Sequence, residues 1–213
     1  EAGSSLVVSP KTFSRQIEWL QKRSFRFLSL DEVLQKKMKA TLWEPAVALT
    51  FDDGFRDNYE NAFPLLLQKG IPAALFIVIN WVGERNFMNW NEIRELSRAG
   101  VLIGSHSLTH RWLPDVSNDR ELEREIFDSK RKIEDEIGKE AAYFCYPVGG
   151  VDNRVAETVK RAGYRAAWVA GARPTVQIRD SPYALRRVKV SSSDRNFLRF
   201  ALKSFGIKSL LTN

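Results

Sequence analysis

Along most of this chain, compact apolar runs alternate with amphipathic, helix-like stretches, and that alternation limits the fold more than any other feature. The apolar runs fall at 46–51 (AVALTF), 73–79 (AALFIVI), 101–105, 141–146, 164–169 and 185–190. Ser9-Pro10 reads as an N-cap followed by proline at the first helical position, with Phe13, Ile17 and Leu20 on one stripe. Ser29 and Glu32 have capping-box spacing, which starts a short second helix. Further helices are predicted over 58–69 (interrupted or kinked at Pro64), 91–99, 119–137, 153–162 behind the cap Asp152, and 196–204. Gly70, Gly100 and Gly163 close three of them. A run as apolar as 73–79 is expected to be covered on both faces, as in a parallel sheet. With no linker, low-complexity tract or internal repeat, 1–213 reads as one α/β domain around a parallel sheet, open or closed into a barrel.

In either form, ligands gather at the carboxyl ends of the strands. The run 46–51 leads into Asp52-Asp53-Gly54, the run 101–105 into His106-Ser107-Leu108-Thr109-His110, and the run 141–146 into Pro147-Val148-Gly149-Gly150. Each is ordinary alone. Asp-Asp-Gly is common turn chemistry, a His-x₃-His pair is often a surface feature, and a Pro/Gly turn is bland. Composition gives them weight, because His106 and His110 are the only histidines and both would reach one rim. Two imidazoles and a carboxylate make a three-ligand site with open positions for a divalent metal. A second carboxylate beside it can take a proton from water.

Other classes recede on similar grounds. One cysteine, Cys145, excludes a Cys-rich zinc module and any intramolecular disulfide. The net charge of +7 is concentrated in residues 160–213, where 12 Lys and Arg face 2 acidic residues; the preceding residues carry 21 basic against 24 acidic. That basic quarter could meet an anionic membrane surface, an acidic polymer or solvent, and no nucleic-acid signature accompanies it. No apolar run is long enough to span a bilayer. The opening at Glu1 lacks basic and apolar leader regions, so the chain reads as a processed or trimmed product. Trp81, Phe87, Met88 and Trp90 crowd the stretch 79–90, which suits stacking on sugar rings or contact with a membrane, or plain packing for Trp90.

Thr50-Phe51-Asp52-Asp53-Gly54, His106-Ser107-Leu108-Thr109-His110 and Tyr146-Pro147-Val148-Gly149 together resemble the three motifs of the NodB-homology polysaccharide deacetylases. Similarity extends over nearly the whole chain, and the YPxG form of the third motif resembles the poly-N-acetylglucosamine deacetylase branch of biofilm exopolysaccharide synthesis. The resemblance implies a distorted (β/α) barrel of about seven units. It also implies hydrolysis of an N-acetyl group from a hexosamine unit of a polysaccharide, outside the cytoplasm: extracellular, at the cell surface or periplasmic. Asp52 would be the general base, and Asp53, His106 and His110 would hold one divalent ion, zinc first, with cobalt, nickel or iron as alternatives. The backbone N–H near Val148 would stabilise the oxyanion, and Tyr146, Pro147 and Trp81 would line the substrate site.

Two positions depart from the family pattern. Many members place arginine two residues before the third-motif proline to tether the base; here that residue is Cys145, and Arg187 is the candidate substitute, with Arg186 next. Many also carry a third histidine as general acid, and this chain has none. Either Asp52 returns its own proton, or a histidine upstream of Glu1 serves. The competing readings are a chitin or peptidoglycan deacetylase, a small-molecule deacylase of the same fold, and a non-catalytic carbohydrate- or membrane-binding module.

Overall fold

A computed structural model of the chain describes residues 7–39, 44–169 and 181–204. Its framework is a curled parallel sheet with helices packed outside. The strands are β1 (Arg26–Phe27), β2 (Ala46–Val47), β3 (Leu49–Phe51), β4 (Ala73–Ile77), β5 (Leu102–Ser105), β6 (Tyr143–Tyr146), β7 (Ala166–Val169) and β8 (Leu185–Arg186). β3 to β8 pair in sequence order and all in parallel, while β1 pairs with β2 in a separate two-stranded sheet. The apolar run 46–51 is therefore two short strands broken at Ala48, the first serving β1 and the second β4. Counted as one strand with a break, it gives seven strands in sequence order, in keeping with the distorted (β/α) barrel of about seven units that the family resemblance implies.

The helices begin and end where local chemistry directs. α1 (Pro10–Lys22) starts behind Ser9, whose hydroxyl accepts from Thr12 N–H, and it buries Ile17 and Leu20. α2 (Leu30–Lys39) opens on the reciprocal Ser29/Glu32 hydrogen bonds. The segment 58–69 divides into a wide π-helical turn, Asn58–Ala62, and α3 (Phe63–Gln68), with Pro64 in the first turn of α3. Pro64 cannot donate a helical hydrogen bond, so the change of register falls just before it. α4 (Trp90–Arg98) begins with an Asn89/Glu92 capping box. α5 (Asp119–Glu123) and α6 (Ser129–Ile137) are joined through a second π-helical turn, Arg124–Asp128. α7 (Asn153–Arg161) is capped by Asp152, whose side chain accepts from Val155 N–H, and α8 (Phe197–Ser204) ends the described chain.

Buried side chains lie on both faces of the sheet. Leu75, Ile77, Ile93, Leu96 and Ile103 pack under α3, α4 and α6. Phe144, Tyr146, Val155 and Val159 pack under α7. The barrel interior is filled by Phe76, Tyr143, Cys145, Ala166 and Trp168. β5 approaches its neighbours closely: a Cβ on Gly104 would lie 2.6 Å from the Phe76 ring and 2.8 Å from Tyr143 O.

Candidate active site

The turns after β3, β5 and β6 bring the three motifs to one rim. Asp53 Oδ1 lies 3.5 Å from His106 Nε2 and 3.4 Å from His110 Nε2. His106 is buried, and its Nδ1 is 2.6 Å from Cys145 O. A carbonyl can only accept, so Nδ1 carries the proton and the Nε2 lone pair faces Asp53. Burial pushes the His106 pKa below its ordinary value, although the neighbouring carboxylates and the Cys145 carbonyl work in the other direction. Asp53 Oδ1 is itself buried without a hydrogen-bond partner.

A carboxylate oxygen and an imidazole lone pair facing each other repel unless a cation lies between them. Ligands bonded at about 2.0–2.1 Å in tetrahedral arrangement lie roughly 3.4 Å apart, which matches both Asp53–His distances. The trio fits a divalent ion. A second grouping, Asp52, His106 and Cys145, has its atoms similarly close but suits none. Burial, then the Asp52 charge, pushes the Cys145 thiol well above its usual range, so it stays protonated, and the Asp52 oxygens are occupied elsewhere.

They are held by Arg187. Its Nη1 donates to Asp52 Oδ1 and its Nη2 to Asp52 Oδ2, both at 2.7 Å. Nη1 also reaches Thr50 Oγ1 at 3.0 Å and Nη2 the Cys145 sulfur at 2.8 Å. Burial raises the Asp52 pKa, but the Arg187 charge and its hydrogen bonds outweigh burial and hold the carboxyl below its ordinary value. Cys145 lies directly beside the guanidinium. Arg186 is exposed, one residue along β8 and on its other side.

Backbone strain concentrates at this rim. Asp53, Ser107, His110 and Val148 all have positive φ, at 72°, 68°, 62° and 55°. A left-handed conformation costs roughly 1–2 kcal/mol for a residue with a Cβ, and such positions cluster at binding sites. Side chains lock the turn between the histidines: Glu125 accepts from Leu108 N–H, Thr109 N–H and the Thr109 hydroxyl. Glu125 sits in the π-helical turn between α5 and α6, where the added residue turns it and Ile126 inward together. The sequence analysis missed it. Its signal was an acidic residue three positions after Leu122, on the apolar side of the helix.

The remaining expected site residues divide. Val148 lies on the turn after β6 with its side chain 64% exposed. The Trp81 ring packs 4.8 Å from the His110 ring, and Phe87 and Phe55 extend the row at 5.0 and 4.8 Å. Tyr146 is placed differently from the expectation: its side chain is buried, because its hydroxyl donates to Tyr183 O and its ring packs on Phe144. Pro147 is buried as well. Both side chains shape the turn from its buried side. The stretch 79–90 is not an apolar loop either. Met88 is buried, the Trp81 and Phe87 rings pack at a tilt of 40°, Trp90 opens α4, and Glu84, Arg85 and Asn86 face solvent.

Two imidazoles and a carboxylate spaced to fit a divalent ion, beside an arginine-held carboxylate at the carboxyl ends of a parallel sheet, are the parts that a hydrolytic site needs. The polysaccharide deacetylase family profile matches residues 39–167, and the chain belongs to that family. It is 29% identical over 194 residues to YxkH of Bacillus subtilis (strain 168), a polysaccharide deacetylase by name, covering 89% of this chain and 68% of that protein. It is also 29% identical over 171 residues to the poly-beta-1,6-N-acetyl-D-glucosamine N-deacetylase of Staphylococcus aureus (strain MSSA476), covering 74% of this chain and 59% of that one. The chain thus spans less than two thirds of the staphylococcal enzyme. The fold is that of the Streptococcus pyogenes deacetylase PplD, solved in complex with acetate. The TM-score is 0.82 at 20% identity, over 93% of this chain and 89% of PplD.

Proposed function

We propose that this chain removes N-acetyl groups from the hexosamine units of poly-N-acetylglucosamine by metal-dependent hydrolysis, releasing acetate and leaving free amines, and that it works outside the cytoplasm. The observation that carries the reading is the adjacency of two differently held carboxylates: Asp53 beside the Nε2 atoms of two imidazoles, and Asp52 gripped by Arg187. The staphylococcal relative's name supports the choice of polymer. Asp53, His106 and His110 would hold the ion, zinc before cobalt, nickel or iron; when bound it polarises the acetyl carbonyl and makes water a better nucleophile.

This chain's own residues do the rest. Asp52 is ionised at neutral pH and takes the proton of the attacking water on the free lone pair of a carboxylate oxygen. Its depressed pKa makes it a weak base but, once protonated, a strong acid. It therefore can return that proton to the departing nitrogen without a third histidine. Arg187 orients Asp52 throughout, and the turn at Val148 aims backbone N–H groups at the developing oxyanion. Trp81 walls the site beside His110. Contact with an anionic membrane surface rests on the basic residues after 160 alone, since the 79–90 stretch exposes charged residues instead of its aromatic ones.

The test is acetate release from β-1,6-linked N-acetylglucosamine oligomers by metal-stripped and metal-restored protein. Restoration of activity together with binding of one divalent ion per chain supports the reading. Full activity in the stripped protein, or none after restoration, overturns it.

A further inference from the structure

Across the site from Trp81, the structure displays a second tryptophan that has no part in the reaction just described. Trp112 follows His110 by two residues and is 41% exposed. Its backbone is held firmly. Leu113 is fully buried beside it, Asp115 N–H donates to Trp112 O, and Arg154 donates to Pro114 O and Val116 O. One side of the ring is backed by Gly150: a Cβ at that position would meet the ring at 2.9 Å. Gly150 closes the Pro147–Gly149 turn, so the ring leans on the same turn that carries Val148. No aromatic or cationic side chain stacks on the ring among the described residues.

Leaving so large an apolar surface in water is unfavourable, and keeping it there on an anchored turn calls for a use. The strand order gives its position. The Trp81–Phe87–Phe55 row rises from the loops after β3 and β4, the metal residues from those after β3 and β5, and the Trp112–Gly150 pair from those after β5 and β6. The reacting unit would lie between two aromatic walls. A flat ring packed against Gly150 and 41% exposed offers apolar surface that suits the C–H face of a pyranose.

We infer that Trp112 is the stacking platform for a second N-acetylhexosamine unit, the neighbour of the unit being deacetylated, and so sets a preference for chains over single sugars. This rests on the deacetylase reading above and adds to it a subsite and the residue that forms it.

The test uses the metal-loaded full chain and β-1,6-linked N-acetylglucosamine oligomers of one to five units. Acetate release gives kcat/KM at each length, and tryptophan fluorescence follows binding of the same oligomers. The wild type should gain in kcat/KM from one unit to two or more. Trp112→Ala should cut that gain about fivefold or more, through KM, while Trp112→Phe keeps most of it. Gly150→Ala, whose backbone φ of −70° accepts alanine, should displace the ring and reproduce the loss. Loss in both variants, with Tm unchanged, supports the platform. A wild type that deacetylates without any length gain overturns it and leaves the deacetylase reading standing, as does a Trp112→Ala variant that keeps the gain. Absence of acetate from every oligomer overturns both.

Discussion

Replacing Arg187 by glutamine removes the one Lys or Arg that pairs with Asp52 among the described residues and leaves a mostly buried carboxylate facing an amide. Removing one partner of a buried ion pair costs about 3–5 kcal/mol. Here Asp52 keeps 27% and Arg187 13% of side-chain exposure, and solvent screening reduces the figure to about 2–3 kcal/mol. For a chain of this length that lowers Tm by roughly 4–12 °C at pH 7. The pH dependence is more discriminating. In the wild type the Asp52 pKa is depressed below 3.8, so its contribution to stability is complete above that value and is lost only as pH falls through the lower folded value. Without Arg187, burial is opposed only by the smaller effects of His106 and the Cys145 hydrogen bond, and the folded pKa should rise above 3.8. Asp52 then opposes folding at neutral pH, and the penalty fades as pH falls through the raised value. The Tm gap between wild type and Arg187→Gln should therefore be widest near pH 7 and narrow toward pH 4, measured on metal-free protein to keep the ion's charge out of the comparison. In the metal-loaded enzyme, the acid limb of kcat/KM should move to higher pH in the variant, and kcat should fall about ten- to a hundredfold as the base loses its fixed orientation. A Tm gap equal at pH 7 and pH 4, together with an unmoved acid limb, would refute the claim that Arg187 governs the ionisation of Asp52.

Other perturbations probe separate parts of the construction. His106→Ala should abolish stoichiometric binding of a divalent ion, read by metal analysis after dialysis, and acetate release should go with it. Glu125→Gln removes the charge that accepts three hydrogen bonds from Leu108 and Thr109; denaturant unfolding should show a loss of about 1–3 kcal/mol, and metal affinity should fall because the turn between the two histidines loosens. Gly104→Ala forces a methyl group against the Phe76 ring and the Tyr143 carbonyl and should cost about 1–3 kcal/mol in the same assay; a neutral result would mean that β5 can shift away from its neighbours.

Much of this architecture was readable from local chemistry. The caps at Ser9, Ser29 and Asp152 need only residues within a turn of one another, and each forms as expected. The runs that became β4 to β7 are apolar because they are covered on both faces, so composition alone marks them. What escaped depends on partners distant in sequence. β1 is two residues long and exists only because Ala46 and Val47 lie beside it, which no local pattern announces. The same pairing splits the 46–51 run at Ala48. Tyr146 looked available because it neighbours the site in sequence; its burial depends on a carbonyl contributed by Tyr183. Arg187 could have been separated from Arg186 by strand alternation, since it shares the side of the buried Leu185.

The bidentate grip of Arg187 on Asp52 also has a topological meaning. Asp52 follows β3 and Arg187 follows β8, and these are the two outermost strands of the six-stranded sheet. No backbone ladder joins them there among the described residues, so the ends of the open sheet are fastened by the pair that, on the proposed reading, also holds the base. A nascent or truncated chain ending before residue 185 lacks both β8 and Arg187, so it has five of the six strands and no guanidinium to hold Asp52. One ion pair thus does two jobs at once, closing the gap between the two edge strands and fixing the carboxylate that lies there.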